Sequence, residues 1–365
     1  MKTTQLLTKC FIIFSLPALL FGSNLTEIKS VKTTKEKVIS KTFNVNKNAT
    51  IKVDNSYGNI DITTWTEDRA EFEIIIKVTG NDEDDVNDRL DDIDVKFSAS
   101  KDWVAAETLI KDKNSNSWWR WGNNKKLKME INYIIKLPIT NNVNLNNDYG
   151  NINVDTLEGK AEINCDYGKI TTKELMAENN NLNFDYTNDC YFEFINSGKI
   201  HADYSSYTVG KAKNLEISAD YTKSIIEVAE NVNYNCDYGS MKVDNINNLD
   251  GKGDYLTVRL GNVYNNVTIN ADYGSIKIDR MASNAGNVLI NTEYVGITLG
   301  YDSAYNFDFE FDMEYGGLSG TENFNFNTKR IQSSEKYYTG YHGAENSGNK
   351  IKINSEYGSI TFKQN

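Results

Sequence analysis

The chain has 365 residues and a net charge of −12, from 39 Lys and Arg against 51 Asp and Glu. So acidic a chain attracts neither a phosphate backbone nor anionic lipid headgroups, which argues against nucleic acid or an acidic membrane as partner. Two prolines in the whole chain suit long, uninterrupted strand pairing.

Residues 1–23 read as a secretory signal. Lys2 and Lys9 charge the start, Cys10 to Phe21 is apolar, and Gly22-Ser23 offers small residues for cleavage. That apolar run is too short to span a bilayer. Cys10 follows Lys9 with no small residue ahead of it, the wrong setting for a lipoprotein cysteine. No later stretch has the length and apolarity of a transmembrane anchor. The expectation is an exported protein that is periplasmic, at the cell surface or extracellular.

Residues 24–40 are polar and rich in Lys and Thr, as in a linker. Residues 41–140 read as a β-rich N-terminal cap region. Phe43-Asn44-Val45, Ile51-Lys52-Val53 and Ile60-Asp61-Ile62 alternate, and Ala70 to Val78 forms a further strand. Asp82 to Asp94 is the one helix candidate: Val86, Leu90 and Ile93 share a face, and Asp82, Glu83, Asp84 and Asp85 suit the positive end of the helix dipole. The spacing lacks the glycine and terminal glutamate of a calcium loop. Strands resume at Asp94–Phe97, Trp103–Ile110 and Leu127–Leu137. Between the last two, polar flanks enclose Trp118, Trp119, Arg120 and Trp121.

Residues 141–365 are organised by a repeat. An acid precedes tyrosine at Asp148-Tyr149, Asp166-Tyr167, Asp185-Tyr186, Asp203-Tyr204, Asp220-Tyr221, Asp237-Tyr238, Asp254-Tyr255 and Asp272-Tyr273, and then at Glu293-Tyr294, Glu314-Tyr315 and Glu356-Tyr357. The tyrosines are 17–21 residues apart until a last step of 42, which reads as one missing coil. Ser56-Tyr57-Gly58 is an isolated first copy. Apolar residues stand four places before the tyrosine (Ile163, Leu182, Ile200) and small ones two places before it (Cys165, Ala202, Cys236). Simple alternation puts both columns and the tyrosine inward, with asparagine and acid columns outward. Glycine often follows the tyrosine (Gly150, Gly168, Gly239, Gly274), as at a corner needing positive φ. The stretch from Tyr186 to Tyr221 lacks that glycine and predicts one irregular coil.

The predicted fold is therefore all-β: a parallel β-solenoid of 17–21-residue coils, preceded by a β-rich cap with one short helix. About a dozen coils make a rod of roughly 55–60 Å. An excursion over residues 318–349, including an exposed loop at Tyr337–Gly348, caps the far end. Cys165 and Cys236 lie four coils apart, too far for a disulfide, and read as small core residues.

The leader, the early Asp54-Asn55-Ser56-Tyr57-Gly58-Asn59-Ile60-Asp61-Ile62, the acidic helix and the many Asp-Tyr-Gly-x-Ile units resemble the bacterial β-strand-repeat adhesin family. They are also similar to the related head GIN adhesin-like domains. The resemblance covers most of the mature chain and implies an exported, right-handed β-helical protein. Its motifs are repetitive, not catalytic.

Three functions fit these features. The first is an adhesin-like protein presenting a long surface to a glycan or cell-surface protein, with Trp118, Trp119, Arg120 and Trp121 as an aromatic contact tip. The second is a structural or stress-responsive envelope component with no ligand of its own. The third, a polysaccharide lyase or hydrolase, would need paired carboxylates that break the repeat, for example near Arg259 or Arg280. His201 and His342 have no partner set for a triad or zinc site. Asp166, Asp203, Asp220, Asp237, Asp254 and Asp272 form an acid column whose mutual repulsion calls for relief. Hydrated carboxylates with nearby Lys169, Lys223, Lys242 and Lys277 would provide it, and so would calcium bridging adjacent coils.

Overall fold

The computed structural model describes residues 32–111 and 127–365. Residues 1–23, read as a signal, and the Trp118–Trp121 segment lie outside the described residues. Within them the protein is all-β with one helix, and buried apolar side chains form one core from Val45 to Phe362.

In the repeat, period-two alternation gives each segment one apolar face, and units of nearly equal length let that face meet its own copy. Neighbouring units accordingly pair parallel and in register. Ile163 lies beside both Leu145 and Leu182, and Asp166 beside both Asp148 and Asp185. The alternation is not continuous, however. After Tyr204 the inward residues are Ser205, Tyr207, Val209, Ala212, Leu215, Ile217 and Ala219. Two successive outward residues interrupt it at Gly210-Lys211, Lys213-Asn214 and Asp220-Tyr221. The same three breaks recur one unit later at Glu227-Val228, Glu230-Asn231 and Asp237-Tyr238. Each break keeps the next apolar run facing the core, and the third coincides with a bend of the chain.

This corrects the expected position of the tyrosines. They sit at the third break and point outward, and it is the tyrosine, not the following glycine, that takes the left-handed backbone. Tyr167, Tyr204 and Tyr238 have φ of 55°, 51° and 52°. The following position faces inward. Its glycine answers to space: a Cβ on Gly168 would stand 2.0 Å from the Gly150 carbonyl oxygen. Thr187, Ser205 and Thr222 fill the same position in the stretch expected to be irregular. They are buried, and their hydroxyls form their own ladder, with the Thr187 amide donating to Ser205 Oγ and the Ser205 amide to Thr222 Oγ1, both at 3.1 Å. The strand Cys190–Asp203 pairs in register with Ser206–Ser218, and the irregularity expected there shows at Asp189, which also takes the left-handed backbone with φ of 57°.

At the N-terminal end the described strands are β1 (Thr33–Asn44), β2 (Thr50–Ser56), β3 (Ile60–Trp65), β4 (Arg69–Gly80), β5 (Ile93–Ala99), β6 (Trp103–Ile110) and β7 (Lys128–Pro138). β1 begins inside the stretch read as a linker: Val38 and Ile39 stand among alternating Lys and Glu, and the strand pairs antiparallel with β4. β2 and β3 are the first unit. They pair parallel with the strands on either side of Tyr149 and, on their other edge, with β6 and β7. The helix α1 (Glu83–Asp91) is capped by Asp82, whose side chain accepts from the Asp85 amide at 3.0 Å, and it buries Val86.

Twelve strands, β8 to β19, occupy residues 142–301, the last of them, β19, being Val288–Tyr301. The far end follows with β20 (Phe307–Glu314), β21 (Leu318–Ser319), β22 (Asn325–Gln332), β23 (Glu335–His342), β24 (Lys350–Glu356) and β25 (Ile360–Gln364). Here spatial order departs from chain order. β24 and β25 slot between β19 on one side and β20 and β21 on the other. The step of 42 residues is thus no missing coil: the last unit in sequence is the penultimate layer in space. β22 and β23 form an antiparallel hairpin against β20, so much of the expected exposed loop at Tyr337–Gly348 is strand.

Candidate binding surface

The third break of every unit builds one continuous edge. Its tyrosines stack in the order Tyr57, Tyr149, Tyr167, Tyr186, Tyr204, Tyr221, Tyr238, Tyr255, Tyr273, Tyr294, Tyr357 and Tyr315, with centroids 4.6–5.5 Å apart and planes within 9°. Each is 42–58% exposed. Neighbours cover the ring faces, so solvent meets ring edges and hydroxyls. Partial burial, then the adjacent phenols and flanking acids, raise the hydroxyls of Tyr167, Tyr204, Tyr238, Tyr273 and Tyr357 above the ordinary phenol pKa.

Beside this edge runs the acid column. From Tyr57 to Tyr255 each tyrosine amide donates to the acid carbonyl of the next unit, as Tyr204 does to Asp220 at 3.0 Å, whereas in the last layer the Tyr315 amide donates to the Ser334 carbonyl at 3.2 Å. The next acid's own amide is then satisfied by a side chain: the amides of Asp185, Asp203, Asp220, Asp237 and Asp254 donate to Oδ1 of Asp166, Asp185, Asp203, Asp220 and Asp237 at 2.8–3.3 Å. The amide of Glu293 reaches Asp272 in the same way at 3.2 Å. A carboxylate accepting a backbone N–H is a strong, charge-assisted bond, and it explains why an acid stands there. Two of the lysines expected to relieve the column turn elsewhere. Lys242 pairs with Asp244 at 2.8 Å and Lys277 with Asp279 at 2.5 Å. Among the described residues no three His, Cys, Asp or Glu side chains gather as a metal site.

A second surface lies at the second of the three breaks. Asn214, Asn231, Asn248 and Asn266 form an amide ladder, each Nδ2 donating to the preceding Oδ1 at 2.8, 2.9 and 3.2 Å. They line an open groove of about 480 Å³ floored by Leu215, Val232 and Leu249. Lys199 and Glu216 at its rim neutralise each other at 2.7 Å. The recurrence of asparagine at 17- and 18-residue steps marks this ladder in the sequence. The tyrosine edge is signalled too, because Leu256 and Val295 follow their tyrosines where glycine stands elsewhere, and apolar residues there place that position inward.

The remaining candidates are scattered. His201 is exposed. His342 is buried, with Nδ1 2.8 Å from the Tyr305 carbonyl and its ring against Tyr301 and Phe307. Arg280 pairs with Asp302 at 2.5 Å, not with the acid column, and Arg259 is exposed. Cys165, Cys190 and Cys236 are free and buried, and burial pushes the thiols of Cys165 and Cys236 up to about 12.

No family model and no curated protein matches the chain. Among solved structures it is similar to a "putative cell adhesion protein" of Clostridium sporogenes at 14% identity and a TM-score of 0.18, over 91% of this chain and 100% of that one. It is similar to a "putative adhesin" of Parabacteroides distasonis at 11% identity and a TM-score of 0.31, over 72% of this chain and 93% of that one. A "putative lipid binding protein" of the same species matches at 8% identity and a TM-score of 0.31, over 89% of this chain and 96% of that one. The adhesin name that the sequence motifs suggested thus recurs among these neighbours, alongside a different one.

Proposed function

We propose that the chain is an exported, adhesin-like binding protein without catalytic activity, folded as a right-handed parallel β-helix closed by a cap at each end. Its tyrosine edge is the contact surface, and its partner is a glycan or a cell-surface protein. The observation that carries this reading is the energetic balance of the edge. A left-handed backbone costs a residue with a Cβ roughly 1–2 kcal/mol, and asparagine or glycine would adopt it more cheaply. Ring stacking returns about 0.5–1.5 kcal/mol per pair. Stacking beyond area burial thus does little more than offset that backbone cost, and twelve rings left half exposed are accounted for by what they present.

The domain scheme in this reading is a signal over residues 1–23, a cap over 41–140 and a repeat domain over 141–365. Trp118, Trp119, Arg120 and Trp121 belong to the segment joining β6 to β7 at the capped N-terminal end and would add a second contact. A triple replacement, Tyr204→Asn with Tyr221→Asn and Tyr238→Asn, keeps a residue type that tolerates the left-handed backbone and removes the rings. Retention of glycan or envelope protein should fall at least tenfold while the melting temperature moves by a few degrees. Undiminished retention by a folded variant would assign the edge a purely structural role and favour an envelope component without a ligand.

A further inference from the structure

We propose that the tyrosine edge is a site of oxidative cross-linking, where phenoxyl radicals on neighbouring rings join as dityrosine and staple one unit to the next. The ladder supplies what the chemistry needs. Adjacent rings are 4.6 Å apart at Tyr294 and Tyr357 and 4.7 Å apart at Tyr238 and Tyr255. Half the surface of each ring is open to a diffusible oxidant, and an exposed ring can pivot about its side-chain bonds to bring its ortho carbon to its neighbour's. Among the described residues the ordinary covalent staple is missing, because Cys165, Cys190 and Cys236 are free and buried.

The oxidant is a haem peroxidase with hydrogen peroxide. Two phenols each give up one electron and the hydroxyl proton, and one peroxide takes both electrons and both protons to become two waters. The two phenoxyl radicals then form one carbon–carbon bond between their ortho carbons. The ring hydrogens at the joined carbons move back to the oxygens, leaving two intact phenols. A radical formed at any rung can pass to the next ring, so two radicals on one ladder meet. Linked groups reach effective concentrations in the millimolar range even on flexible tethers, about a thousandfold above a micromolar protein, so coupling within the chain outruns coupling between chains. A link between Tyr57 and Tyr149, or between Tyr294 and Tyr357, closes 92 or 63 residues of chain and restricts the unfolded state as a disulfide does.

The test is to treat the full chain at micromolar concentration with a haem peroxidase and hydrogen peroxide, follow dityrosine fluorescence, and map the linked peptides. Links should join ladder neighbours, Tyr294 to Tyr357 among them, in a chain that stays monomeric and melts at higher temperature. Tyr191 and Tyr264 are 39% and 40% exposed but stand outside the ladder, and should be linked at least tenfold less. Tyr357→Phe keeps the stacked ring but forms no phenoxyl radical. It should abolish the links to Tyr294 and Tyr315 and leave those from Tyr149 to Tyr273 unchanged. Links only between chains, equal linking of Tyr191 and Tyr264, or full coupling of Tyr315 to tyrosines outside the ladder in Tyr357→Phe would each overturn the proposal.

Discussion

The middle of the stack and its two ends solve the same problem by different means. Between Tyr186 and Tyr273 each unit is covered by a near copy of itself, so like side chains meet from layer to layer: amide, carboxylate and phenol run as ladders, and hydroxyls do so from Thr187 to Thr222. An end has no copy to lie against. At the N-terminal end a buried polar network joins the first unit to its cap. Asn55 Nδ2 donates to the Ile131 carbonyl and to Asn147 Oδ1, and its own Oδ1 accepts from Thr108, which also contacts the Tyr133 hydroxyl. At the far end the chain doubles back, and aromatic rings close the core: Phe362 packs against Tyr301, Phe311 and Phe324. Repetition makes the middle cheap to specify and tolerant, whereas each end depends on contacts made once.

The largest effect should therefore come from the far end. Phe362 is 2% exposed, and Phe362→Ala is expected to cost about 3–5 kcal/mol in thermal or urea unfolding. Ile226→Val in the middle should cost about 1 kcal/mol by the same principle. A loss at Phe362 no larger than at Ile226 would erase the distinction. Next comes Asn55→Ala, which leaves the buried Asn147 acceptor without its donor. Leaving buried polar groups unpaired costs about 1–3 kcal/mol, and hydrogen exchange should show β6 and β7 opening before the middle does.

The contrast also decides what could be read from the sequence. The repeat, its period and the like-with-like parallel register were legible because the same chemistry recurs at Tyr149, Tyr167 and Tyr204. The side of the chain on which those tyrosines stand was not. Period-two alternation was carried through a bend where Asp220 and Tyr221 both face outward, and the φ of 52° at Tyr221 has no signature in residue type. The interleaved end was invisible for another reason: a step of 42 residues between Tyr315 and Tyr357 gives distance along the chain, whereas the stacking of Tyr357 between Tyr294 and Tyr315 is order in space. Val38 and Ile39, in a stretch read as linker, became strand because β4 offered an edge.

Within the middle, sensitivity should appear only where one layer departs from its copy. Tyr234 occupies a column otherwise held by Ile217 and Ile269, and its ring fits because Gly251 lies beside it in the next unit. A Cβ on Gly251 would stand 1.8 Å from that ring, so Gly251→Ala is expected to cost about 1–3 kcal/mol by overpacking. Adding Tyr234→Leu should return part of the loss, a coupling that a double-mutant cycle measures directly. Simple additivity of the two changes would remove the steric explanation.

The smallest expected effect tests how far the interleaved end depends on charge. Glu310 on β20 meets Lys350 at 2.6 Å and Lys352 at 3.1 Å, both on β24. Hydrogen bonds from Lys350 and then Lys352 hold its carboxyl below the ordinary glutamate value despite partial burial. A carboxyl with a lowered folded pKa contributes stability that is present above the unfolded value and lost as pH falls through the folded one. These side chains are partly solvated, so the contribution is within about 1 kcal/mol. Glu310→Gln should thus melt slightly below the parent at neutral pH, and the two should converge once the medium is acid enough to protonate the parent's carboxyl. High salt should narrow the same gap. A difference that persists in acid would mean that the amide disturbs packing between β20 and β24, and that shape alone holds the interleaved layer in place.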